Sequence, residues 1–347
     1  MSRRQNAGLL GRDAERTAAR AAHFGIPNAA TRIDDALKSD VDVFVVATPP
    51  ASHHPIVLLA LAAGKHVLCE KPLATTVALG QEMCAAAASS NVVTVLQHQF
   101  RWRPDNALLR QVVQRGDLGP LIQGAFTFDC PMTQTPGALD VPDWWLEAET
   151  GGGWLRNWNS HGIDLVRYMV GEFGAVTGRL HLDTMRGMNA DDAYVMNFVL
   201  VGGMQGMMTG TCRSWDYIAQ SRLVGADKTA LLDAGNGAER GLYISGAAGR
   251  QKLVPDEQLL SELNRGIAGM KPKEGLPPPS PGVYHAIHSG DGSFVEQVAL
   301  CSAFRQRIFD RNYRNPALAS FEDGLAALKV IDAVERANKA GRWIEVN

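Results

Sequence analysis

Runs of hydrophobic residues alternate with helix-like stretches through residues 6–97. The clearest is Val41–Ala47, a continuous β-branched run typical of a parallel strand buried on both faces. The other predicted strands are Asn6–Gly11, Lys65–Cys69 and Val92–Gln97, and the predicted helices are Ala14–Phe24, Thr31–Lys38, His54–Ala63 and Val77–Ser89. This repeated strand–helix order predicts a doubly wound open sheet.

After residue 120 the pattern changes to strands separated by turn residues. Ala125–Phe128 alternates between apolar and small polar residues, as in an antiparallel sheet with one covered face. The predicted strands are Leu121–Asp129, Val176–Thr184, Tyr194–Val201, Gln205–Arg213 and Arg222–Leu232, and the helices are Asn106–Arg115, His161–Met169, Ser293–Arg311 and Phe321–Lys339. Ser320 and Asp323 have the spacing of a capping box. Gly266–Gly282, rich in Pro and Gly, is expected to be a surface loop.

Length and composition narrow the class of protein. A chain of 347 residues exceeds one ordinary hydrophobic core, so two domains are expected. The net charge of −2 gives no electrostatic case for nucleic acid or an anionic membrane, and no apolar stretch approaches the roughly 18 residues of a span. Five scattered cysteines favour reduced thiols in the cytoplasm, and their spacing suggests no metal site.

The first candidate site residue is Lys71, in Glu70-Lys71-Pro72. It follows a predicted parallel strand, and ligands bind at the carboxyl ends of such strands. A lysine there can hold a substrate hydroxyl or carbonyl. A surface lysine in a turn fixed by Pro72 is an equally good interpretation.

The second candidate is His161, which follows a run of three glycines, Gly151–Gly153. His161 and Asp164 are three residues apart on a predicted helix and therefore share a face. A histidine with a pKa near neutrality suits removal of a proton from an alcohol. A structural histidine at a helix start is the alternative.

Together, these motifs resemble the glucose–fructose oxidoreductase / inositol dehydrogenase / rhizopine catabolism (Gfo/Idh/MocA) family over essentially the whole chain. The matching residues are Ala47-Thr48-Pro49-Pro50 with His53, then Glu70-Lys71-Pro72, then Arg101 in Gln97–Arg101, and finally the glycine run with His161 and Asp164. Their order and spacing make the resemblance specific.

The resemblance implies an α/β protein in which a truncated Rossmann-like parallel-sheet domain (1–119) binds the nucleotide. An α+β domain with a mostly antiparallel open sheet (120–318) would bind substrate and mediate homo-oligomerisation as a dimer or tetramer, and residues 319–347 would pack back on the first domain as a helix and a strand. It implies that Lys71 positions substrate and nicotinamide and that His161 is the acid/base. The other residues implied at the site are Arg101, Asn157, Trp158 and Asp164 for substrate, and Gly11, Arg12, Thr48, Pro49, His53 and Glu70 for cofactor.

Two departures from the family pattern affect chemistry and fold. Asn157 stands where many members have aspartate, and an amide cannot act as a carboxylate base. The family's first strand, its G-x-G-x-x-G turn and its first helix should precede Asn6–Gly11. We expect the strands on either side of that position to be separated or to pair directly. A late start of the sequence is favoured over a rearranged domain or a strand donated by a partner.

The residues after the second family strand bear on cofactor choice. An arginine there accommodates a 2′-phosphate, and this chain has Gly11-Arg12, which favours NADP over NAD. Arg12 as an ordinary solvated residue is the alternative.

Tryptophans bear on the substrate. Five of the seven fall between residues 102 and 158, and Trp154 and Trp158 flank the second motif. Flat rings suit the C–H faces of a sugar or polyol, although Trp102 and Trp144 are expected in the core. The leading hypothesis is NAD(P)-dependent hydride transfer at a secondary hydroxyl of such a compound. A non-catalytic binding or scaffold protein and a redox-neutral NAD-using lyase or glycosidase are the alternatives.

Overall fold

The computed structural model describes residues 7–132, 142–182, 188–235, 240–263 and 295–347. Its first domain contains five parallel strands and four helices. The strands are β1 (Gly8–Leu10), β2 (Asn28–Ala30), β3 (Val43–Val46), β4 (His66–Cys69) and β5 (Thr94–Leu96). The helices are α1 (Ala14–Phe24), α2 (Ile33–Lys38), α3 (His53–Ala62) and α4 (Val77–Ser89). The predicted Rossmann-like alternation is confirmed.

The parallel strands form two separate sheets. β1 pairs with β2, whereas β3, β4 and β5 form a three-stranded sheet. Across the described residues no ladder joins β1 to β3, so the strands are separated and do not pair directly. Val45 of β3 is 64% exposed. The prediction that Val41–Ala47 is buried on both faces is therefore wrong at Val45, because nothing described covers that face beside the gap.

The second domain is built on a nine-stranded sheet of order β13-β12-β11-β10-β6-β9-β8-β7-β14. Only the β6–β9 pair is parallel, which confirms the mostly antiparallel prediction. Its strands are β6 (Leu121–Asp129), β7 (Phe173–His181), β8 (Ala193–Leu200), β9 (Gln205–Thr211), β10 (Ile218–Gly225), β11 (Thr229–Asp233), β12 (Gly241–Gly246), β13 (Gly249–Leu253) and β14 (Ile344–Glu345). The remaining helices are α5 (Pro104–Gln114), α6 (Asp143–Leu146), α7 (Ser160–Met169), α8 (Glu257–Leu263), α9 (Val295–Phe309) and α10 (Phe321–Ala340).

Two details differ from the sequence predictions, and a third prediction is not tested. The expected strand Arg222–Leu232 is wrong as one element, because the chain turns after Gly225 and the two halves pair as β10 and β11. β14 pairs with β7 of the large sheet instead of packing on the first domain. The predicted loop Gly266–Gly282 lies outside the described residues.

The long helix α10 contacts both domains. It packs on α4 of the first domain and on β7 of the second. Ser320 and Asp323 form the predicted capping box, in which each side chain accepts from the other residue's backbone N–H. In the described part of the chain, no helix combines the length and hydrophobicity that crossing a membrane requires.

Candidate active site

Two loops at the carboxyl edge of the three-stranded sheet approach each other. They hold four of the predicted cofactor residues: Thr48, Pro49, Glu70 and Lys71. The buried ring of His53 lies between the loops, with Nδ1 2.9 Å from the carbonyl oxygen of Pro72 and Nε2 2.8 Å from that of Thr48. Burial lowers the pKa of His53, so its neutral ring donates to one of these oxygens. The ring thereby fixes the spacing of the two loops.

Lys71 extends from the first domain to the second. Its Nζ donates to the backbone oxygen of Asn157 at 2.9 Å and to the side-chain oxygen at 3.3 Å. The same ammonium lies 5.6 Å from the centre of the Trp158 ring. Burial lowers the pKa of Lys71 and raises that of the neighbouring Glu70, while the attraction between the two charges opposes both shifts.

The glycine run allows a tight turn before the second motif. Gly151 and Gly153 have φ of 91° and 94°, a region that residues with a Cβ rarely adopt. At Gly152 a Cβ would lie 2.3 Å from the carbonyl oxygen of Trp145. All three glycines are therefore required by the backbone, as their sequence pattern indicates.

A π-helical turn, Trp154–Trp158, follows the glycines. Its wide backbone ring is closed where the N–H of Asn159 donates to the carbonyl oxygen of Trp154 at 2.8 Å. Such turns are rare and concentrate at functional sites. Here the turn carries the backbone and side chain of Asn157 to the ammonium of Lys71.

Behind this turn lies a buried network of charged and imidazole side chains. Arg101 donates to both carboxylate oxygens of Asp164, at 2.8 Å and 2.6 Å, and lies 3.0 Å from the carboxylate of Asp323. His98 Nδ1 is 3.4 Å from His161 Nδ1, and His98 Nε2 is 3.7 Å from Asp164. His161 and Asp164 therefore share one face of α7, as their spacing predicts.

Aromatic rings line the region beside His161. The rings of Trp154 and Trp158 are nearly parallel, with centroids 5.7 Å apart, and Phe128 stacks on both. Phe100 lies 4.5 Å from His161 and Trp158 lies 6.5 Å from it. The Trp158 ring is thus a neighbour of both the Lys71 ammonium and the His161 imidazole.

Two predicted cofactor residues stand apart from this cluster. Gly11 and Arg12 follow β1 in the separate two-stranded sheet. Asp13 caps α1 by accepting from the N–H of Arg16 at 2.7 Å. A carboxylate therefore occupies the start of this helix, where a phosphate would otherwise be favoured.

Sequence reasoning did not single out His98. It lies in the motif that carries Arg101, directly after the last strand of the three-stranded sheet. That position at the carboxyl edge was the available signal. In the described part of the chain, no group of three or more His, Cys, Asp or Glu could hold a metal ion.

Two family profiles match this chain. Residues 1–98 match the family profile described as "Oxidoreductase family, NAD-binding Rossmann fold", and residues 107–230 match "GFO/IDH/MocA C-terminal domain". The chain belongs to the GFO/IDH/MocA oxidoreductase family. Its relatives include sugar oxidoreductases.

Levoglucosan dehydrogenase of Pseudarthrobacter phenanthrenivorans is 33% identical over 48% of this chain and 43% of its own length. Trans-1,2-dihydrobenzene-1,2-diol dehydrogenase of Mus musculus is 33% identical over 60% of each chain. These alignments span about half of each relative. A solved levoglucosan dehydrogenase in complex with NADH has the same fold, with a TM-score of 0.79 over 99% of this chain and 90% of that one, at 22% identity.

Proposed function

We propose that this protein is an NAD(P)-dependent dehydrogenase or reductase acting on a secondary hydroxyl of a sugar, polyol or related compound. The arrangement of Lys71, Trp158 and His161 carries the proposal. An amine at 5.6 Å and an imidazole at 6.5 Å both neighbour the flat apolar ring of Trp158. This is what binding and deprotonating a sugar hydroxyl requires.

The chain's residues fit the nicotinamide end of the cofactor. The two loops after β3 and β4 present a threonine hydroxyl and the Lys71 ammonium at the sheet edge where such ligands bind. When bound, the nicotinamide supplies the carbon that gives or takes the hydride. Asn157 carries an amide, which cannot act as a carboxylate base, and this observation favours the second candidate function, a binding protein without turnover.

Each residue of the cluster then has a distinct task. Lys71 donates to the substrate oxygen from a position held by Asn157. His161 removes the hydroxyl proton in oxidation and returns it in reduction. Arg101 holds Asp164 and so fixes the helix that carries His161. Trp158 packs against the C–H face of the sugar, a role that suits a large aromatic ring beside both polar groups.

Turnover of a sugar or polyol by the purified chain, with NAD or NADP, tests this function. We expect His161→Ala to lower kcat by about 10²–10⁴-fold and Lys71→Met to lower it as well. Exposed residues of the same types provide the controls His23→Ala and Lys38→Met. Equal rates for His161→Ala and its control would reject the acid/base role.

Calorimetric titration with both nucleotides separates the candidate functions. Binding weaker than millimolar would favour the non-catalytic protein over the dehydrogenase. Turnover without net change in the reduced nucleotide would instead indicate a redox-neutral reaction. We propose that Arg12 favours NADP, and Arg12→Glu should then weaken NADP binding more than NAD binding. Equal binding of both nucleotides to the unaltered chain would reject this preference.

We also propose that a second copy of the chain packs on the outer face of the nine-stranded sheet. The inner residues of the central strands face the core, while the outer face carries Val195 at 52% and Met207 at 42% exposure. The outward positions of β6, β8 and β9 between them are neutral: Ala125, Thr127, Asn197 and Thr209. A two-fold contact sets a patch against itself, so a neutral patch avoids repulsion between like charges.

A further inference from the structure

His98 lies between His161 and the carboxylate of Asp164. Its Nδ1 is 3.4 Å from Nδ1 of His161, and the two rings are 5.4 Å apart with their planes at 78°. On its other side, Nε2 is 3.7 Å from Oδ1 of Asp164. All three side chains are buried. Both nitrogens of His98 therefore face a polar group that determines where its proton resides.

The ring of His98 is neutral near physiological pH. Burial lowers its pKa to about 4, and the positive charges of Arg101 and Lys71 act in the same direction. The carboxylates of Asp164 and Asp323 oppose the shift without cancelling it. A neutral imidazole has one N–H donor and one acceptor nitrogen. His98 can therefore donate on one side only.

Electrostatics selects which nitrogen carries that proton. With the proton on Nδ1, the Nε2 lone pair of His98 would face the negative carboxylate of Asp164. With the proton on Nε2, the positive end of the N–H bond faces that carboxylate, which is favourable in a buried site of low polarity. The Nδ1 of His98 is then an acceptor, and the atom opposite it is Nδ1 of His161.

We propose that His98 is a positioning residue that holds the Nδ1 proton of His161, so that Nε2 of His161 exchanges the proton with the substrate hydroxyl. This inference rests on the acid/base role proposed for His161. When His161 takes the hydroxyl proton on Nε2, it keeps its Nδ1 proton, and His98 keeps its own on Nε2. The positive charge formed on His161 is then stabilised by Asp164 through the intervening ring. The 3.4 Å separation is long for a hydrogen bond, as is common before substrate binds.

A nitrogen NMR measurement of the histidine tautomers tests this arrangement without turnover. Protein labelled with ¹⁵N-histidine should show His161 protonated on Nδ1 and His98 on Nε2, with each assigned by its loss in His161→Gln and His98→Asn. His161 protonated on Nε2 in the unaltered protein overturns the proposal. The tautomers are measured in the unaltered protein, and the two variants serve only to assign the signals.

Asparagine and leucine side chains are nearly equal in size, so His98→Asn and His98→Leu form a matched pair of variants. His98→Asn keeps an oxygen acceptor close to the Nδ1 position, whereas His98→Leu has none. In His98→Leu we expect His161 to populate the Nε2–H form and kcat to fall by about 10–10²-fold, less than the loss on removing the acid/base itself. His98→Asn should recover most of the rate, and KM should stay within about twofold in both, since the acid/base acts in the chemical step.

The outcomes separate this proposal from the proposed function. Equal tautomers of His161 in His98→Leu and the unaltered protein, or equal kcat in the two His98 variants, would overturn the positioning role. The expected tautomers in a protein without turnover would support the hydrogen bond from His161 to His98 and reject the dehydrogenase. Melting temperatures of both His98 variants show whether a lower kcat results from unfolding of the protein.

Discussion

The ammonium group of Lys71, at the edge of the three-stranded sheet, donates to both oxygens of Asn157, in the π turn of the second domain, at 2.9 Å and 3.3 Å. The amide carries no net charge, so it does not offset the cost of burying the ammonium as a carboxylate would. Burial lowers the pKa of Lys71, and the negative charge of Glu70 opposes this shift.

Asn157→Asp should raise the pKa of Lys71 above its value in the unaltered protein. The new carboxylate would lie where the amide oxygen is now, 3.3 Å from Nζ, and an opposite charge favours the protonated amine. An NMR titration of labelled lysines measures the shift. Asn197→Asp, on the exposed face of the large sheet, is the control and should leave Lys71 unchanged. A Lys71 pKa that stays the same in Asn157→Asp contradicts the contact.

Arg101→Met should destabilise the protein by about 3–5 kcal/mol, because it leaves the buried carboxylate of Asp164 without its partner. Urea unfolding at neutral pH measures the loss. Arg336, paired with Asp332 on the surface of α10, offers the matched control Arg336→Met, with an expected loss of at most about 1 kcal/mol. Similar losses for the two variants would show that the Arg101 pair is not buried as described.

Asp191 should make the protein less stable as the pH rises, and Asp191→Asn should remove this loss. Asp191 is buried, accepts from the N–H of Leu155 at 2.8 Å, and has a pKa raised by burial from 3.8 to about 7. The native state therefore binds this proton more tightly than the unfolded chain, and stability falls as pH rises through that interval. Asparagine keeps the acceptor and does not ionise.

Above pH 7 we expect Asp191→Asn to be more stable than the unaltered protein, by at most about 4 kcal/mol. Below about pH 4 the gain should vanish, because the aspartate is then protonated in both states. Unfolding curves at several pH values measure the effect, with the exposed Asp216→Asn as control. A gain that does not depend on pH would argue against a raised pKa.

Lysine substitutions on the outer sheet face should dissociate the proposed oligomer. Val195→Lys and Met207→Lys each bury a charge at two symmetry-related positions of a two-fold contact, so each substitution is penalised twice. Light scattering on the eluted protein gives the mass. Val254→Lys, exposed at the far edge of the sheet, should leave the mass unchanged. A monomeric unaltered protein at all concentrations would reject the contact.

The elements that were predicted correctly have local signals. The capping box of Ser320 and Asp323 needs three residues of separation and no tertiary context. The β13 strand was missed because its Gly249–Leu253 sequence is polar and largely exposed, so it has no hydrophobic alternation. Antiparallel pairing with the adjacent β12 makes this segment a strand, and the residues of β13 alone do not predict that pairing.

The site likewise contains some features that local sequence signals predict and others that depend on tertiary packing. The chemistry of Lys71 and His161 could be recognised from motif and position, although their roles stay predictions. The link from His98 to Asp164 joins residues on different elements and depends on how α7 packs against the turn Gln99–Trp102. The lysine contact with Asn157 likewise depends on the π turn, whose backbone no sequence pattern specified.

Because the parallel strands form two separate sheets, we expect the two parts of the first domain to differ in how cooperatively they unfold. Within residues 7–30 only Thr17 and Ala21 are buried, so β1, α1 and β2 have almost no core of their own. The β3–β5 layer, in contrast, packs Val67 and Met83 against Phe321 of α10. We therefore expect backbone amides of β1 and β2 to exchange through local opening, and those of β4 only when the whole domain unfolds. We therefore expect the layer formed by β1, α1 and β2 to open separately from the layer that carries Lys71.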